Sequence, residues 1–562
     1  MWLIDTTTIR LHFIEDPTKY KYAILSHTWE GDEVTFQEIA NPEVAKEKPG
    51  FRKIQSTCEL ARARGLQFAW VDTCCIDKTS SAELTEAINS MYQWYKLSTI
   101  CFVYLSDLSD QEIHNSFDLV FFLHACRWFT RGWTLQELIA PRFVEFYGKK
   151  WELHGDKTSL LYELSGITGI DEAILEDSEM VAFTSVAKRM SWASNRQTTR
   201  AEDMAYCLFG LFDVHLPLIY GEGWKAFIRL QEAIILESSD LSVFAWKSDS
   251  KDQVIRGLLA FSPSEFRKCG DIERVDDPLI LSPDFVITNK GVKIETCLTK
   301  GEGGYIMSLQ CIEAEKRVSG ESGEVLAIKL LKTANGYVRH KPGHLATISD
   351  VLKQPPQDSS EFKAISVCIP KIISLAKSQL LHARLLHRFS VKVVNNSPYW
   401  EKVTTQPEHL WDDGSKSFIT EHNDNFAGKI QINLKPKRSQ FRPHSLNVFV
   451  CLGLMNESNF LRPWAGIFQD HFSHGILFED SEFQKVILGS SMFTSLANMR
   501  KYMCLRAAQK TLPQWLTPIL LVNSELALPH VHISLSLSVD NEQPDARYRL
   551  FIYIDGGENE SR

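Results

Sequence analysis

The stretch RWFTRGWTLQEL, residues 127–138, runs into RFVEFY, residues 142–147, and together they predict a helix followed by a buried strand. Trp133 and Glu137 are four residues apart, so a helix would place an aromatic ring and a carboxylate on one face. A carboxylate near a helix start beside a sheet is a candidate functional group. Thr134-x-x-Glu137 also matches a capping box, in which Glu137 would only bind a free backbone N–H of its own helix.

Strand-like and helix-like segments alternate upstream of this stretch. Buried strands are predicted at residues 22–26, 68–71 and 100–105, with a fourth at 143–147. Helical spacing follows the first strand over residues 49–65 and the second strand from Ser80-x-x-Glu83 to Tyr95, while residues 106–129 predict an irregular insertion. Because consecutive parallel strands need a crossover connection, this alternation predicts an α/β domain with a doubly wound parallel sheet over residues 1–155.

Polar side chains follow the first two predicted strands. In a doubly wound sheet the ligand crevice lies outside the carboxyl ends of the strands, near the point where strand order reverses. This rule places the loops after strands one and two close to the helix of residues 133–138. It predicts one pocket formed by Ser26, His27, Trp29, Asp72, Cys75, Asp77, Trp133 and Glu137.

The composition is that of an ordinary globular chain. With 562 residues, 44% of them hydrophobic, the chain has material for about three to four domains. A formal net charge of −9 without a basic tract argues against a surface for nucleic acid or anionic membranes. Twelve cysteines without a C-x-x-C pair or metal-like spacing predict reduced thiols and no metal site. We expect a cytoplasmic protein, since no signal peptide or membrane span is evident.

The pattern changes twice downstream. Residues 156–247 have helical spacing and predict a helical connector packed on the first domain. Residues 248–355 and 362–562 contain short alternating strands separated by turns, which predict two β-rich regions of β-sandwich type, with 353–361 as the candidate linker. Gly221-Glu222-Gly223 is a weak hint of phosphate binding that we interpret as a plain loop.

Three motifs resemble those of the fungal heterokaryon-incompatibility (HET) domain. They are YAILSHTW at 22–29, WVDTCCIDK at 70–78 with ELTEAINSMYQWY at 83–95, and RGWTLQEL at 131–138. The resemblance covers about residues 22–150, and the run 189–235, with RMSWASNR and PLIYGEGWKAF, resembles the segment that commonly follows this domain. It implies a part in fungal non-self recognition, innate immunity and programmed cell death.

A more distant resemblance links the same residues to TIR domains. LSHTWEGD, residues 25–32, is similar to the first strand and loop of TIR domains, and WTLQEL, residues 133–138, is similar to the TIR pattern W-C-x-x-E-L. In NAD-cleaving TIR domains that glutamate is catalytic, so the resemblance implies a TIR/flavodoxin-like fold, with Glu137 as the catalytic residue. The sequence departs from TIR domains at the insertion of residues 106–129 and in a loop built around Cys74 and Cys75.

The implied chemistry fits these residue types. Breaking the nicotinamide–ribose bond of NAD passes through an oxocarbenium-like state that a nearby carboxylate can stabilise. NAD would be the substrate, and no bound cofactor is expected. Trp29 or Trp133 could stack on a ring, and Asp72 or Asp77 could hold the ribose, although either aspartate could instead cap its own loop.

Two alternatives use the same domain differently. In the first, the domain is a non-enzymatic signalling scaffold that associates with itself or with HET or TIR-like partner domains, and Glu137 caps a helix. In the second, Cys75 and His27 form a cysteine hydrolase with Asp72 orienting the histidine. Cysteine is more often a small buried hydrophobe, so the first alternative is the stronger one.

Overall fold

The structure is a computed structural model of the 562-residue chain. It describes residues 1–109, 116–250, 253–275, 284–301, 304–314, 324–348, 364–385, 388–396, 399–406, 408–419, 426–436, 446–457, 460–469, 523–528, 531–539 and 548–556. The predicted linker at 353–361 lies outside these residues.

A seven-stranded mixed sheet forms the N-terminal region. Its strands are β1 (Trp2–Asp5), β2 (Arg10–Phe13), β3 (Tyr22–His27), β4 (Phe68–Trp70), β5 (Ile100–Tyr104), β6 (Val144–Tyr147) and β7 (Leu153–Asp156). They lie in the order β2-β1-β4-β3-β5-β6-β7. The central strands β4, β3, β5 and β6 are parallel, whereas β1 and β2 at one end and β7 at the other run antiparallel to their inner neighbours.

The order of the parallel strands determines where a site can form. Numbered along the chain, the four parallel strands lie as 2-1-3-4, the order of flavodoxin-like sheets, and strand order reverses between β3 and β5. Every residue of β3 is buried, as expected for a central strand covered on both faces. The predicted α/β class is confirmed, with a sheet that is parallel only at its centre, and its likeness to TIR domains stays a prediction.

Helices connect the strands of this sheet and continue in the chain that follows it. The α-helices in the described part of the chain are α1 (Phe36–Ile39), α2 (Pro42–Glu47), α3 (Phe51–Ala63), α4 (Ser81–Leu97), α5 (Ser116–Ala125), α6 (Thr134–Ile139), α7 (Leu161–Thr168), α8 (Glu172–Glu176), α9 (Val186–Trp192), α10 (Asp203–Tyr206), α11 (Phe209–Phe212), α12 (Lys225–Glu237) and α13 (Leu375–Leu385). Short 3-10 helices lie at Pro17–Lys19, Arg127–Thr130, Ser178–Phe183, Leu241–Phe244, Pro263–Phe266 and Glu408–Leu410.

Local sequence explains why α4 was predicted from the sequence and α5 was not. Ser80 caps α4 as predicted, because its side chain accepts a hydrogen bond from the Glu83 amide. The prediction of an irregular insertion at residues 106–129 is wrong, since α5 lies within it and the 3-10 helix Arg127–Thr130 overlaps its end. The α5 sequence SFDLVFFLHA is apolar on nearly every side, so it lacks the one-sided periodicity that marks an amphipathic helix.

The helices after residue 155 pack directly on the first sheet domain. Gly210 in α11 sits so close to α4 that a Cβ at this position would lie 2.0 Å from the Tyr92 Cβ. Asn89 of α4 binds both backbone groups of Leu216, donating to its carbonyl at 3.1 Å and accepting from its amide at 3.0 Å. One cluster of buried apolar side chains runs from Met1 through the helices to Ile369. The helical connector therefore shares a core with its neighbours.

The loop at residues 221–223, a weak hint of phosphate binding in the sequence, binds a carboxylate of its own chain. The amides of Gly221 and Gly223 donate to one carboxylate oxygen of Glu202, at 2.7 and 3.0 Å. Gly221 and Gly223 both have positive φ, of 102° and 62°, which glycine adopts without strain. The loop thus holds a negative charge supplied by its own chain, in keeping with the plain-loop interpretation.

The described part of the chain beyond residue 250 is mostly β-structure. Its strands are β8 (Ile255–Arg256), β9 (Ile272–Arg274), β10 (Phe285–Ile287), β11 (Val292–Thr296), β12 (Leu298–Gly301), β13 (Gly304–Ser308), β14 (Cys311–Glu313), β15 (Leu326–Thr333), β16 (Gly336–His340), β17 (Ala346–Thr347), β18 (Ile365–Ile369), β19 (Arg388–Asn395), β20 (Tyr399–Gln406), β21 (Trp411–Asp412), β22 (Ser417–Ile419), β23 (Phe426–Pro436), β24 (Leu446–Glu457), β25 (Phe460–Gln469), β26 (Asn523–Leu528), β27 (Val531–Val539) and β28 (Tyr548–Gly556).

These strands form several sheets. The first β-rich region contains β10-β11-β18, β12-β13-β15-β16-β8 with β17 beside β15, and the pair β14-β9. The second contains β21-β22-β19-β28-β27-β26 and β20-β23-β24-β25, whose buried side chains form one shared cluster. A shared cluster between two sheets is the arrangement expected of a β-sandwich.

A buried carboxylate ties the two β-rich regions together. Asp412 accepts hydrogen bonds from the Tyr305 hydroxyl at 2.7 Å and from Arg388 Nη1 at 2.8 Å. Tyr305 belongs to β13 and Arg388 to β19, so the contact crosses the predicted boundary at residues 355–362. The predicted domain limits stay predictions. In the described residues, no helix is both long enough and apolar enough to cross a bilayer.

We predict that Gly210→Ala destabilises the protein by about 1–3 kcal/mol or more, because the new methyl group would overlap the Tyr92 side chain. The matched control is Gly166→Ala in α7, where a Cβ would meet no atom within 4 Å. That control should be neutral or stabilising by about 0.5–1 kcal/mol, since alanine favours the helix. Urea midpoints measure both, and equal midpoints for the two variants would contradict the close packing of α11 on α4.

Candidate functional site

A buried carboxyl group lies where β3 ends against α6. The Ser26 hydroxyl donates a hydrogen bond to Glu137 Oε2, and the Trp128 indole Nε1 donates to Ser26 Oγ at 2.8 Å. Glu137 is only 7% exposed, and Ser26 and Trp128 are fully buried. The network therefore joins the end of a central strand, the 3-10 turn that follows α5, and α6.

The surroundings of Glu137 favour its neutral form. Burial raises the pKa of Glu137 to about 8, because the charged carboxylate loses its hydration, and the nearby Asp72 charge acts in the same direction. Contacts with Ser26 and Tyr95 and the charge of Arg196 lower the pKa in part. At neutral pH the group is therefore mostly protonated in the resting protein.

The next residue of β3 begins a second, more exposed network. His27 Nε2 lies 3.1 Å from Asp72 Oδ1, and the Trp29 indole donates to Asp72 Oδ2 at 2.7 Å. On its other side, His27 Nδ1 lies 3.3 Å from the ammonium of Lys53. Burial opposes ionisation of Asp72, but its bond to His27, the charges of His27 and Lys78 and the bond from Trp29 hold its pKa below the usual value.

Trp29 forms the outer part of this network. Its residue is 50% exposed, and Lys78 Nζ lies 3.6 Å from the centre of its ring system. An ammonium over an indole face is a favourable cation–π contact. The rim of the site thus presents an aromatic ring and a cation beside the ionised Asp72.

Five of the predicted site residues come together at one edge of the sheet. Ser26 and His27 end β3, Trp29 follows it, Asp72 follows β4, and Glu137 lies on α6. They meet near the reversal of strand order, the position that the fold class favours for ligands. Their roles in substrate binding or catalysis stay predictions. Within the described ranges, no three or more His, Cys, Asp or Glu side chains are grouped to hold a metal ion.

Comparison with known proteins relates the first part of the chain to a known family. Residues 22–124 match the family model described as Heterokaryon incompatibility protein (HET). The chain contains a HET domain. It is also 50% identical over 220 residues to the Vegetative incompatibility protein HET-E-1 of Podospora anserina. That match covers 38% of this chain and 16% of the relative, so the chain spans well under two thirds of the protein it resembles. No solved structure matches the chain significantly.

The family match covers only part of the candidate site. It begins at Tyr22, the first residue of β3, and includes Ser26, His27 and Asp72. It stops at residue 124 within α5, so Glu137 lies outside it. The carboxyl group at the centre of the site is therefore connected to the HET domain by the observed Ser26 contact.

Cys75 has neighbours other than His27 in this HET domain. Its sulfur accepts a hydrogen bond from the Val71 amide at 3.4 Å, and its side chain lines a cavity next to α4. Both ring nitrogens of His27 already lie against Asp72 and Lys53. The cysteine-hydrolase alternative, which pairs Cys75 with His27, has no support in this geometry.

Asp77 and Trp133 have partners other than Ser26 and Glu137. Asp77 Oδ1 accepts hydrogen bonds from the Thr79 amide at 3.0 Å and its hydroxyl at 2.6 Å, so it caps its own loop. Trp133 is the residue before α6, and its hydrogen bond with Asp203 lowers the pKa of that carboxyl, which burial raises overall. Trp133 thus contacts the helical segment, and the roles predicted for Asp77 and Trp133 in substrate binding stay predictions.

The capping-box interpretation of Glu137 is wrong. Helix α6 begins at Thr134, the capping position is Trp133, and no side chain caps the helix. Thr134 instead contacts the carbonyl oxygens of Trp128 and Arg131 through its hydroxyl. Glu137 binds the Ser26 hydroxyl of a neighbouring strand, which local spacing along the chain does not reveal.

Sequence reasoning missed Trp128, Lys53 and Arg196. Arg196 is 5% exposed, and its Nη1 donates to the Arg131 carbonyl at 2.8 Å and the Thr134 hydroxyl at 2.9 Å. It therefore holds the start of α6 from the helical segment and brings a positive charge near Glu137. The signal available in the sequence was the position of Arg196 in the motif RMSWASNR. An arginine that is buried needs a specific partner.

We predict that the stability difference between Glu137→Gln and the natural protein depends on pH. The folded-state pKa of about 8 exceeds the usual 4.5, so the folded protein binds the extra proton across this window. Stability of the natural protein should therefore fall as pH rises from 4.5 to 8, a loss that glutamine avoids. Urea unfolding across this range should show the free energy of unfolding of the glutamine variant rising relative to that of the natural protein as pH increases.

The control for this measurement is Glu172→Gln, which changes an exposed carboxylate on α8. Its stability difference should show no comparable trend with pH. Parallel curves for Glu137→Gln and the natural protein would mean that the Glu137 carboxyl is not held in a neutral form by burial.

Proposed function

We propose that this chain is a cytoplasmic fungal heterokaryon-incompatibility effector, acting in non-self recognition and induced cell death, and that its HET domain cleaves NAD. The family match and the identity to a vegetative incompatibility protein support the first part. The second part is supported by one observation: a carboxyl group, Glu137, is buried against Ser26 at the reversal point of a parallel sheet. Self-association or pairing with HET or TIR-like partner domains would assemble the active form.

The electrostatics of Glu137 suit this reaction. In NAD the nicotinamide nitrogen carries a positive charge, and its approach would favour ionisation of a carboxyl group that is neutral at rest. As the bond breaks, its electron pair passes to the ring nitrogen, and neutral nicotinamide leaves. The positive charge then resides on the ribose, where a carboxylate at Glu137 would stabilise it until water adds and releases a proton. Nicotinamide is a good leaving group, so no second acid is required.

The outer network supplies complementary groups for the rest of such a substrate. Trp29 offers a half-exposed ring that could stack on a base. Lys78 places an ammonium beside that ring, where it could neutralise a phosphate. Asp72 stays ionised through its contacts with His27 and Trp29 and is the carboxylate suited to a ribose hydroxyl.

The near-complete burial of Glu137 favours a second candidate, a non-enzymatic signalling scaffold. At 7% exposure, with Ser26 already bound, Glu137 also suits a purely structural role that fixes β3 against α6. In that case the HET domain would act by recruiting partner domains, and its surface would carry the activity. The two candidates differ in what happens when Glu137 loses its charge but keeps its shape.

For the enzyme, Glu137→Gln should reduce nicotinamide release by about 100-fold or more, the usual effect of removing a group that stabilises transition-state charge. The assay incubates the full chain at high concentration with NAD and measures free nicotinamide, alongside toxicity on expression in a fungal host. Glu172→Gln, on the surface of α8, is the matched control and should keep full activity. Thermal unfolding and size measurements verify that both variants fold and associate. A toxic Glu137→Gln variant would favour the scaffold.

We further predict a pH profile for NAD cleavage. If the ionised form of Glu137 is required, kcat/KM should rise about tenfold per pH unit below the pKa of about 8 and level off above it. Asp72→Asn should move this midpoint to lower pH, because the Asp72 charge raises the pKa of Glu137. A profile that is flat from pH 6 to pH 9, or a midpoint unmoved in Asp72→Asn, would contradict the role given to Glu137.

A further inference from the structure

A cavity of about 270 Å³ lies between the N-terminal hairpin and α4, and Cys75 of the loop after β4 is among its lining residues. The hairpin strands β1 and β2 contribute Trp2 and Phe13 to its wall, and α4 contributes Trp94, Glu83 and Glu86. The candidate site around Ser26 and Glu137 shares none of these residues. The cavity is therefore a separate feature of the HET domain region.

Aromatic rings form much of this wall. Trp2 and Phe13 meet edge to face, with ring centres 5.2 Å apart, and Trp94 packs edge to face against Trp70 at 5.7 Å. These contacts fix the rings in place before any ligand arrives. Phe13 is 61% exposed, which leaves its ring open to a ligand at the mouth of the cavity.

The charged side chains that line the cavity are both carboxylates. Glu83 and Glu86 lie on the first turns of α4, and no Lys, Arg or His side chain is among the lining residues. The Met1 ammonium, which is also at the wall, donates to the Ile14 carbonyl at 3.2 Å. Glu83 has a structural partner, since its Oε1 accepts from the Asp77 amide at 3.4 Å. Glu86 is exposed and is the carboxylate available to a ligand.

We propose that this cavity binds a small organic cation with an alkylated ammonium head. Ring faces attract cations through their quadrupole, and aromatic walls with neighbouring carboxylates are the usual means of recognising quaternary ammonium groups. Alkylated ammonium groups also bring apolar surface that suits Trp2, Phe13 and Trp94. The volume falls just below the range of about 300–1,000 Å³ found for drug-sized ligands, so the ligand is small.

The test uses the full chain with choline as the probe and 3,3-dimethylbutan-1-ol, its uncharged analogue of the same shape, as the control ligand. Isothermal titration calorimetry should show choline binding about tenfold or more tightly than the alcohol, since only choline has the charge. Glu86→Gln should weaken choline binding about two- to fivefold and leave the alcohol unaffected. Glu47→Gln makes the same charge change on exposed α2, away from the cavity, and should alter neither.

A second variant tests the cavity at an exposed residue, where a substitution should leave the fold intact. Phe13→Leu changes an exposed ring at the mouth of the cavity and should weaken choline binding about two- to fivefold. The proposal is overturned if choline does not bind at about 10 mM, or if the alcohol binds equally well. It is also overturned if both Glu86→Gln and Phe13→Leu leave choline affinity unchanged, since the ligand would then be bound elsewhere.

Discussion

The burial of the Glu137 carboxyl against the end of β3 is the constraint on which the candidate site depends. Moving its pKa from 4.5 to about 8 corresponds to a bias of order 5 kcal/mol against the charged form. At neutral pH the carboxyl group avoids this penalty by staying protonated, and as a buried polar group it still needs partners. Here Ser26 supplies a hydrogen bond, Trp128 fixes the serine, and Arg196 places a positive charge nearby.

Two carboxyl groups near the same strand end are thereby driven to opposite protonation states. Asp72 is held ionised by His27 and Trp29, while Glu137 is held neutral by burial and by the Asp72 charge itself. Separation of pKa values between neighbouring acids is a common arrangement in sites that handle charge. In the proposed reaction, a cationic substrate would be attracted by the first group and would favour ionisation of the second.

The sequence predicted the parts of the fold and site that depend on local pattern. Strands β3 to β6 are apolar runs, and the rule for doubly wound sheets correctly placed Ser26, Asp72 and Glu137 near one another. It did not reveal the partner of Glu137, because the Ser26 and Trp128 contacts join residues more than 100 positions apart. Helix α5 was missed because it has no polar face, and the antiparallel edge strands because short segments of this kind carry little periodicity.

The continuous core from the first sheet into the helices after residue 155 has a consequence for how this domain can be inherited or engineered. A recombination event or a cloning boundary placed at residue 155 would strip Arg196 from the start of α6 and uncover the α4 surface that receives Gly210. A module transplanted between proteins would therefore need at least the sheet together with its helical layer, a longer piece than the family match at residues 22–124.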